Sequence, residues 1–159
     1  MTTNRKVTRT IDIGGVLMGG SNPIVIQSMT NTKTHDSEAT LAQIIELEKA
    51  GCELVRCAVP DERAAEALPE IVSQSTVPLI ADIHFRADLA VKAIEAGAAK
   101  VRINPGNIGT PEQIKKVIDA AEAHHTPVRI GVNSGSLEKD ILEKHGSPTA
   151  EALCESMFR

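Results

Sequence analysis

An echo inside the chain constrains the fold most: Ala50-Gly-Cys-Glu-Leu-Val-Arg56 recurs in kind as Ala96-Gly-Ala-Ala-Lys-Val-Arg102. Each copy reads as a helix end, a glycine turn and a strand that carries an arginine. Residues 128–132, Val-Arg-Ile-Gly-Val, repeat the strand part with Arg129. Such a unit cannot bury its apolar face alone, so copies must pack side by side as parallel strands covered by helices. Strands are expected at 24–28, 53–57, 79–82, 100–103 and 128–132. Helices are expected at 37–50, 61–75, 87–96, from Thr110-Pro111 onward, and from 149 to the end. Asp36 or Ser37 caps the first helix, and Pro111 suits the first position of the fourth. Before these units, residues 9–13 and 16–18 flank Gly14-Gly15 as a hairpin that plugs or caps one end.

The expected class is therefore α/β: a (β/α) TIM barrel, incomplete, with about five βα units behind an N-terminal β-hairpin. A chain of 159 residues falls short of the roughly 250 of a complete barrel. An open doubly wound sheet is the alternative, but no G-x-G-x-x-G follows the first strand.

Composition narrows the function. The formal charge is −4, Trp and Tyr are absent, and Phe85 and Phe158 are the two aromatics. Neither a basic surface nor a base-stacking platform is offered, so no nucleic acid is expected. No apolar run reaches the roughly 18 residues of a membrane span, and the polar start leads into no signal segment. Cys52, Cys57 and Cys154 make an odd count without C-x-x-C spacing, which fits structural thiols in a reducing cytoplasm.

In parallel α/β folds the ligand site lies at the C-terminal ends of the strands. That rule selects Gln27, Ser28, Thr30, Arg56, Asp82, His84, Arg102, Asn104, Asn107, Arg129 and Asn133. Three arginines at equivalent strand positions repel one another unless an anion relieves them, and guanidinium forks match phosphate oxygens. A phosphate or diphosphate ligand follows; the bland reading pairs the arginines with Glu53, Asp82 or other acids. Asn104 is a candidate for holding ligand hydroxyls, whereas Asn107 reads as turn chemistry. Asp82 and His84 share one side of an extended segment. Their reading stays open between an acid/base pair, a divalent metal site and hydrogen bonding to a ligand or neighbouring arginine. His35, His124, His125 and His145 read as solvated.

The stretches 26–31, 53–60, 81–85, 100–107 and 128–133, in order and spread over most of the chain, resemble bacterial 4-hydroxy-3-methylbut-2-en-1-yl diphosphate synthases. The resemblance implies an N-terminal TIM barrel joined to a C-terminal 4Fe-4S domain in a homodimer. It implies reductive ring opening of methylerythritol cyclodiphosphate to hydroxymethylbutenyl diphosphate in non-mevalonate isoprenoid synthesis, with electrons from flavodoxin or ferredoxin. It also implies that Arg56, Arg102 and Arg129 hold the diphosphate, that Asn104 and Asn133 support it, and that Asp82 and His84 lie near the substrate. The three cysteines cannot supply four cluster donors, so no metal or cluster is expected on this chain. By the same resemblance, residues 1–159 are the first part of the barrel, the catalytic residues are expected beyond Arg159, and this chain alone is expected to be inactive. Two other readings remain: a barrel lyase or pterin-type transferase acting on a phosphorylated substrate, and a non-catalytic anion-binding module.

Overall fold

A computed structural model describes residues 6–158. The hairpin is present, with β1 (Ile11–Ile13) antiparallel to β2 (Val16–Met18) and Ile13 opposite Val16 across the glycine turn. Then come β3 (Gln27–Met29), α1 (Ser37–Lys49), β4 (Leu54–Val59), α2 (Glu62–Gln74) and β5 (Leu79–Ile83). The chain continues through α3 (Ala87–Glu95), β6 (Lys100–Ile103), α4 (Pro111–Ala123) and β7 (Val128–Ile130). A 3-10 turn (Ser134–Ser136), α5 (Lys139–His145) and α6 (Ala150–Phe158) complete it.

Strands β3 to β7 form one parallel sheet in sequential order. A doubly wound sheet reverses its strand order and carries helices on both faces. Here α1 to α4 all cover one face: Ile44, Leu68, Leu89 and Val117 join Val55, Cys57, Val59, Leu79, Ala81, Ile83, Val101 and Ile103 in one core. The sheet is thus a barrel wall, concave on its uncovered side, and the open-sheet alternative fails. The hairpin occupies the N-terminal end of that concave side, where Ile13 packs with Leu54 and Ile80. It caps one end, as expected.

Helix starts follow their capping chemistry. Asp36 and Asp61 accept hydrogen bonds from the N–H groups of Ala39 and Ala64, and Thr110 with Gln113 completes a reciprocal box ahead of Pro111. Helix α2 runs through Pro69, although an interior proline removes a hydrogen bond at about 3 kcal/mol. Full burial of Leu68 and Ile71 at roughly 1.5–3 kcal/mol each offsets that loss.

Strand ends depart from the sequence expectation. The first strand begins at Gln27, not at residue 24, because the Ile26 carbonyl accepts from Glu53 and Leu54 while Ile24 and Ile26 stay exposed. Strand β4 runs on to Val59, and β7 stops at Ile130. The Gly131 N–H makes the last ladder bond, to Ile103, and its carbonyl turns to Arg102. The sequence reading missed α5, whose stop is Gly146 in the left-handed region at φ 71°.

The cysteines divide. Cys57 is fully buried in the helix-facing core, and burial pushes its thiol pKa up. Cys52 is partly buried, whereas Cys154 is exposed on α6, so the expected structural role fails there. An amphipathic helix at the surface leaves one face to water, and Cys154 lies on it.

Candidate functional site

Period-two alternation sorts the strand residues. Where Val55, Val101 and their neighbours face the helices, Arg56, Asp82, Lys100, Arg102 and Arg129 fall on the opposite, concave face. The register then sets them side by side: Arg56 opposite Ile80, Ile80 opposite Lys100, Asp82 opposite Arg102, and Arg102 opposite Arg129.

Asp82 is the hub. It is 5% exposed, and its carboxylate lies 3.0 Å from Arg102 Nη1, 3.4 Å from His84 Nε2 and 3.6 Å from Arg56 Nε. Arg102 also places Nη1 3.0 Å from His84 Nε2 and donates from Nη2 to the Gly131 carbonyl at 2.8 Å. A side chain at Gly131 would collide with the guanidinium, since an added Cβ would sit 2.1 Å from Arg102 Nε. Glycine there lets Arg102 lie flat against β7. The pairing reading therefore holds for Arg102. Arg56 is half-buried and donates from Nε to Met29 Sδ at 3.2 Å. Arg129 is exposed, and among the described residues no carboxylate pairs with it.

The sequence reading missed Lys100. It is buried beside these groups on the concave face, and burial, then the charges of Arg129 and Arg56, push its pKa below the usual lysine value. The signal was available: Lys100, Arg102 and Asn104 alternate along one strand, so an inward Arg102 implies an inward Lys100. Among the described residues, the strands thus turn three arginines and a lysine against one carboxylate onto the concave face.

Asn104 and Asn133 meet through Ser136. Asn104 is fully buried and donates from Nδ2 to Ser136 Oγ, and Ser136 Oγ lies 3.0 Å from Asn133 Oδ1. Asn104 Oδ1 also accepts from the Gly106 N–H, and Asn133 Oδ1 from the Gly135 N–H. Both carboxamides therefore tie the β6 and β7 loops together. Asn107 closes the turn expected of it, its N–H donating to the Asn104 carbonyl at 3.1 Å, and its Oδ1 is buried without a described partner. Of the remaining candidates, Gln27 is exposed, Ser28 partly buried and faced away from Arg56, and Thr30 buried after β3. His145 is not solvated: its Nε2 lies 2.8 Å from Glu155 of α6.

After β5 the backbone is strained. Phe85 has φ 66°, and the Arg86 N–H donates to the His84 carbonyl at 2.8 Å, closing a three-residue γ-turn around it. A bulky residue at positive φ is an outlier that persists only where its surroundings over-determine it. Arg86, paired with Asp88 and Glu62, anchors the far side, and His84 faces Arg102 on the near side. The Phe85 ring is 70% exposed and 6.0 Å from the His84 ring. Phe85→Gly is expected to raise stability by about 1 kcal/mol, because strain of about 1–3 kcal/mol is relieved against a smaller glycine entropy penalty. Thermal unfolding checks this; a lowered midpoint would show that the turn is unstrained.

A groove of about 410 Å³ lies at the C-terminal end of β4, lined by His35, Ala58 and Asp61, and others lie at the opposite end. One of about 440 Å³ runs between the hairpin and the ends of α3 and α4, lined by Asp12, His124 and His125. Among the described residues, no group of three His, Cys, Asp or Glu side chains is placed to hold a metal ion. Nor is any described helix long and apolar enough to cross a membrane.

Residues 8–159 match the family model described as the GcpE TIM-barrel domain. The chain is 60% identical over 153 residues to a 4-hydroxy-3-methylbut-2-en-1-yl diphosphate synthase (flavodoxin) of Geobacillus kaustophilus, covering 96% of this chain and 41% of that protein. An Exiguobacterium protein of the same name is 58% identical over 153 residues, with the same coverage. The chain thus spans about two fifths of these relatives' length. Among solved structures, a Xanthomonas albilineans dihydropteroate synthase matches with a TM-score of 0.57 at 19% identity, over 94% of this chain and 58% of that one, a likeness of fold. With a singly wound barrel wall, the concave cationic face and a family match across nearly all of its length, the chain belongs to the GcpE TIM-barrel domain family.

Proposed function

We propose that residues 1–159 are the first part of the substrate-binding barrel of a 4-hydroxy-3-methylbut-2-en-1-yl diphosphate synthase, and that the concave face holds the diphosphate of methylerythritol cyclodiphosphate. One observation carries this: among the described residues Asp82 is the single carboxylate serving Arg56 and Arg102, and Arg129 has no carboxylate partner. That leaves excess positive charge on a partly dry face, which a diphosphate neutralises. Asp82 holds Arg102 and His84 in place, the Asn104–Ser136–Asn133 link fixes the rim, and the partly exposed His84 side chain is free to offer a hydrogen bond to a bound ligand on the same face.

The family reaction is reductive, with flavodoxin as electron donor in the named relatives. A 4Fe-4S cluster belongs to the longer family enzyme by resemblance. The cysteines here do not fit it: Cys57 points into the helix-facing core, Cys154 is on α6, and the described residues form no ligand group. The catalytic groups are assigned to the remainder of a longer protein. A homodimer and a cytoplasmic setting complete the reading, the latter supported by three free thiols.

Calorimetric titration with methylerythritol cyclodiphosphate tests the proposal. Binding is expected to weaken with salt and to fall by about thirtyfold in Arg129→Ala, the scale of truncating one partner of a charge-assisted contact. Equal affinity in the variant, or salt-independent binding, would sink it.

A further inference from the structure

Phe85 sits where neither its apolar bulk nor its backbone preference would put it. Along β5 alternate side chains face opposite ways, with Asp82 on the concave face and Ile83 in the helix-facing core. Continued as an extended strand, the chain would turn His84 to the concave face and Phe85 back toward the helices. Instead Phe85 takes φ 66°, and the γ-turn around it leaves the side chain 70% exposed. A large apolar residue is thus kept out of the core, in a backbone region that bulky residues avoid. Strain of this kind clusters at active sites and ligand clamps.

The turn sets the place of the ring. It lies 6.0 Å from the His84 ring and is inclined to it at 43°. His84 Nε2 is in turn 3.0 Å from Arg102 Nη1 and 3.4 Å from the Asp82 carboxylate. The phenyl ring therefore stands one side chain away from the charged hub, past the C-terminal end of β5, where ligands of parallel α/β barrels lie. Arg56, Asp82, Arg102 and Arg129 around that hub are all charged, and the arginines suit phosphate oxygens. A phosphorylated compound also presents C–H surface, which charged groups do not match. Phe85 places an apolar surface beside them.

We infer that Phe85 is a specificity-determining residue of this site, its ring covering the carbon skeleton of a bound polyol diphosphate whose phosphates meet the arginines. The assignment rests on the reading of the concave face as a diphosphate site and extends it to the carbon end of the ligand. The left-handed turn is what presents the ring to the ligand instead of to the core.

Methylerythritol cyclodiphosphate and inorganic pyrophosphate separate the two ends by calorimetric titration, because pyrophosphate carries phosphate oxygens and no carbon. Phe85→Ala and Phe85→Gly are expected to bind the cyclodiphosphate about fivefold more weakly than the parent, the scale of losing a small apolar contact. Both are expected to bind pyrophosphate within about twofold of the parent. Phe85→Leu, which keeps apolar bulk, is expected to recover most of the loss; a leucine no better than alanine overturns the apolar contact. If both truncations bind the cyclodiphosphate within about twofold of the parent, Phe85 is overturned and the diphosphate site stands. If they weaken both ligands equally, the turn acts only by holding His84 and Arg102, and the inference is overturned. Phe85→Gly, in which the strain is relieved, decides the matter should Phe85→Ala fail to fold; failure of both to fold also overturns it. A parent that binds pyrophosphate but not the cyclodiphosphate overturns the inference, and a parent that binds neither overturns the diphosphate reading with it.

Discussion

Asp82→Ala is expected to lower stability to chemical denaturation by about 3–5 kcal/mol, the scale of breaking a buried ion pair from one side. The reason lies with what stays behind. Arg102, whose side chain is 11% exposed, would keep its bonds to Gly131 and His84 and lose its only opposite charge. The 3.6 Å contact with Arg56 adds little, because that side chain is a quarter exposed and screened. Among the described strand residues, four cations would then share the face with no acid. A urea titration that moved by less than about 1 kcal/mol would show that Asp82 does not carry this balance. Replacing both partners, as in Asp82→Leu with Arg102→Met, is expected to recover most of the lost stability, because no buried charge is then left alone. That double variant is also expected to bind pyrophosphate more weakly than the parent, since Arg102 no longer braces the rim.

Leu68→Ala is expected to cost a comparable 2–5 kcal/mol by another route. Leu68 is fully buried in α2, in the core between helices and sheet, and truncating it leaves a cavity that neighbours fill only in part. No polar group is uncovered, and the cavity lies on the helix side of the sheet. Under conditions where the variant remains folded, its pyrophosphate affinity should match the parent's. The pair of results separates the two faces of one sheet: Asp82→Ala should lose affinity as well as stability, and Leu68→Ala stability alone. An affinity loss in Leu68→Ala would mean that the concave face depends on helix packing more closely than the register implies.

Much of this architecture is legible in the sequence. Glycine turns after helices, capping residues ahead of them and short apolar strands are local signals, and local hydrogen bonding decides them. The starts of α1, α2 and α4 fell where Asp36, Asp61 and Thr110 lie. Strand lengths were less legible because a strand ends where its neighbour stops pairing. Ile24 and Ile26 have strand-like side chains, yet the parallel pairing with β4 begins only at Gln27. Helix α5 escaped notice because seven residues carry too little periodicity to stand out.

The candidate site divides in the same way. That Arg56, Arg102 and Arg129 recur on successive strands, and that Asp82 and His84 share a side, follows from spacing alone, since a strand turns alternate residues to one face. Spacing cannot say which arginine is free and which is consumed. That depends on the register that sets Asp82 opposite Arg102, on Gly131 leaving room for the guanidinium, and on no described carboxylate pairing with Arg129. The strained turn at Phe85 was equally hidden, because a positive φ on a phenylalanine contradicts its local preference and is held by the anchored neighbours on either side. The sequence by itself determined the repeating units, their order and the side chains each turns to the concave face, because those follow from interactions within a few residues. Only the tertiary structure decided how those side chains pair, because charge balance in a partly dry site is set by groups far apart in the chain and close in space.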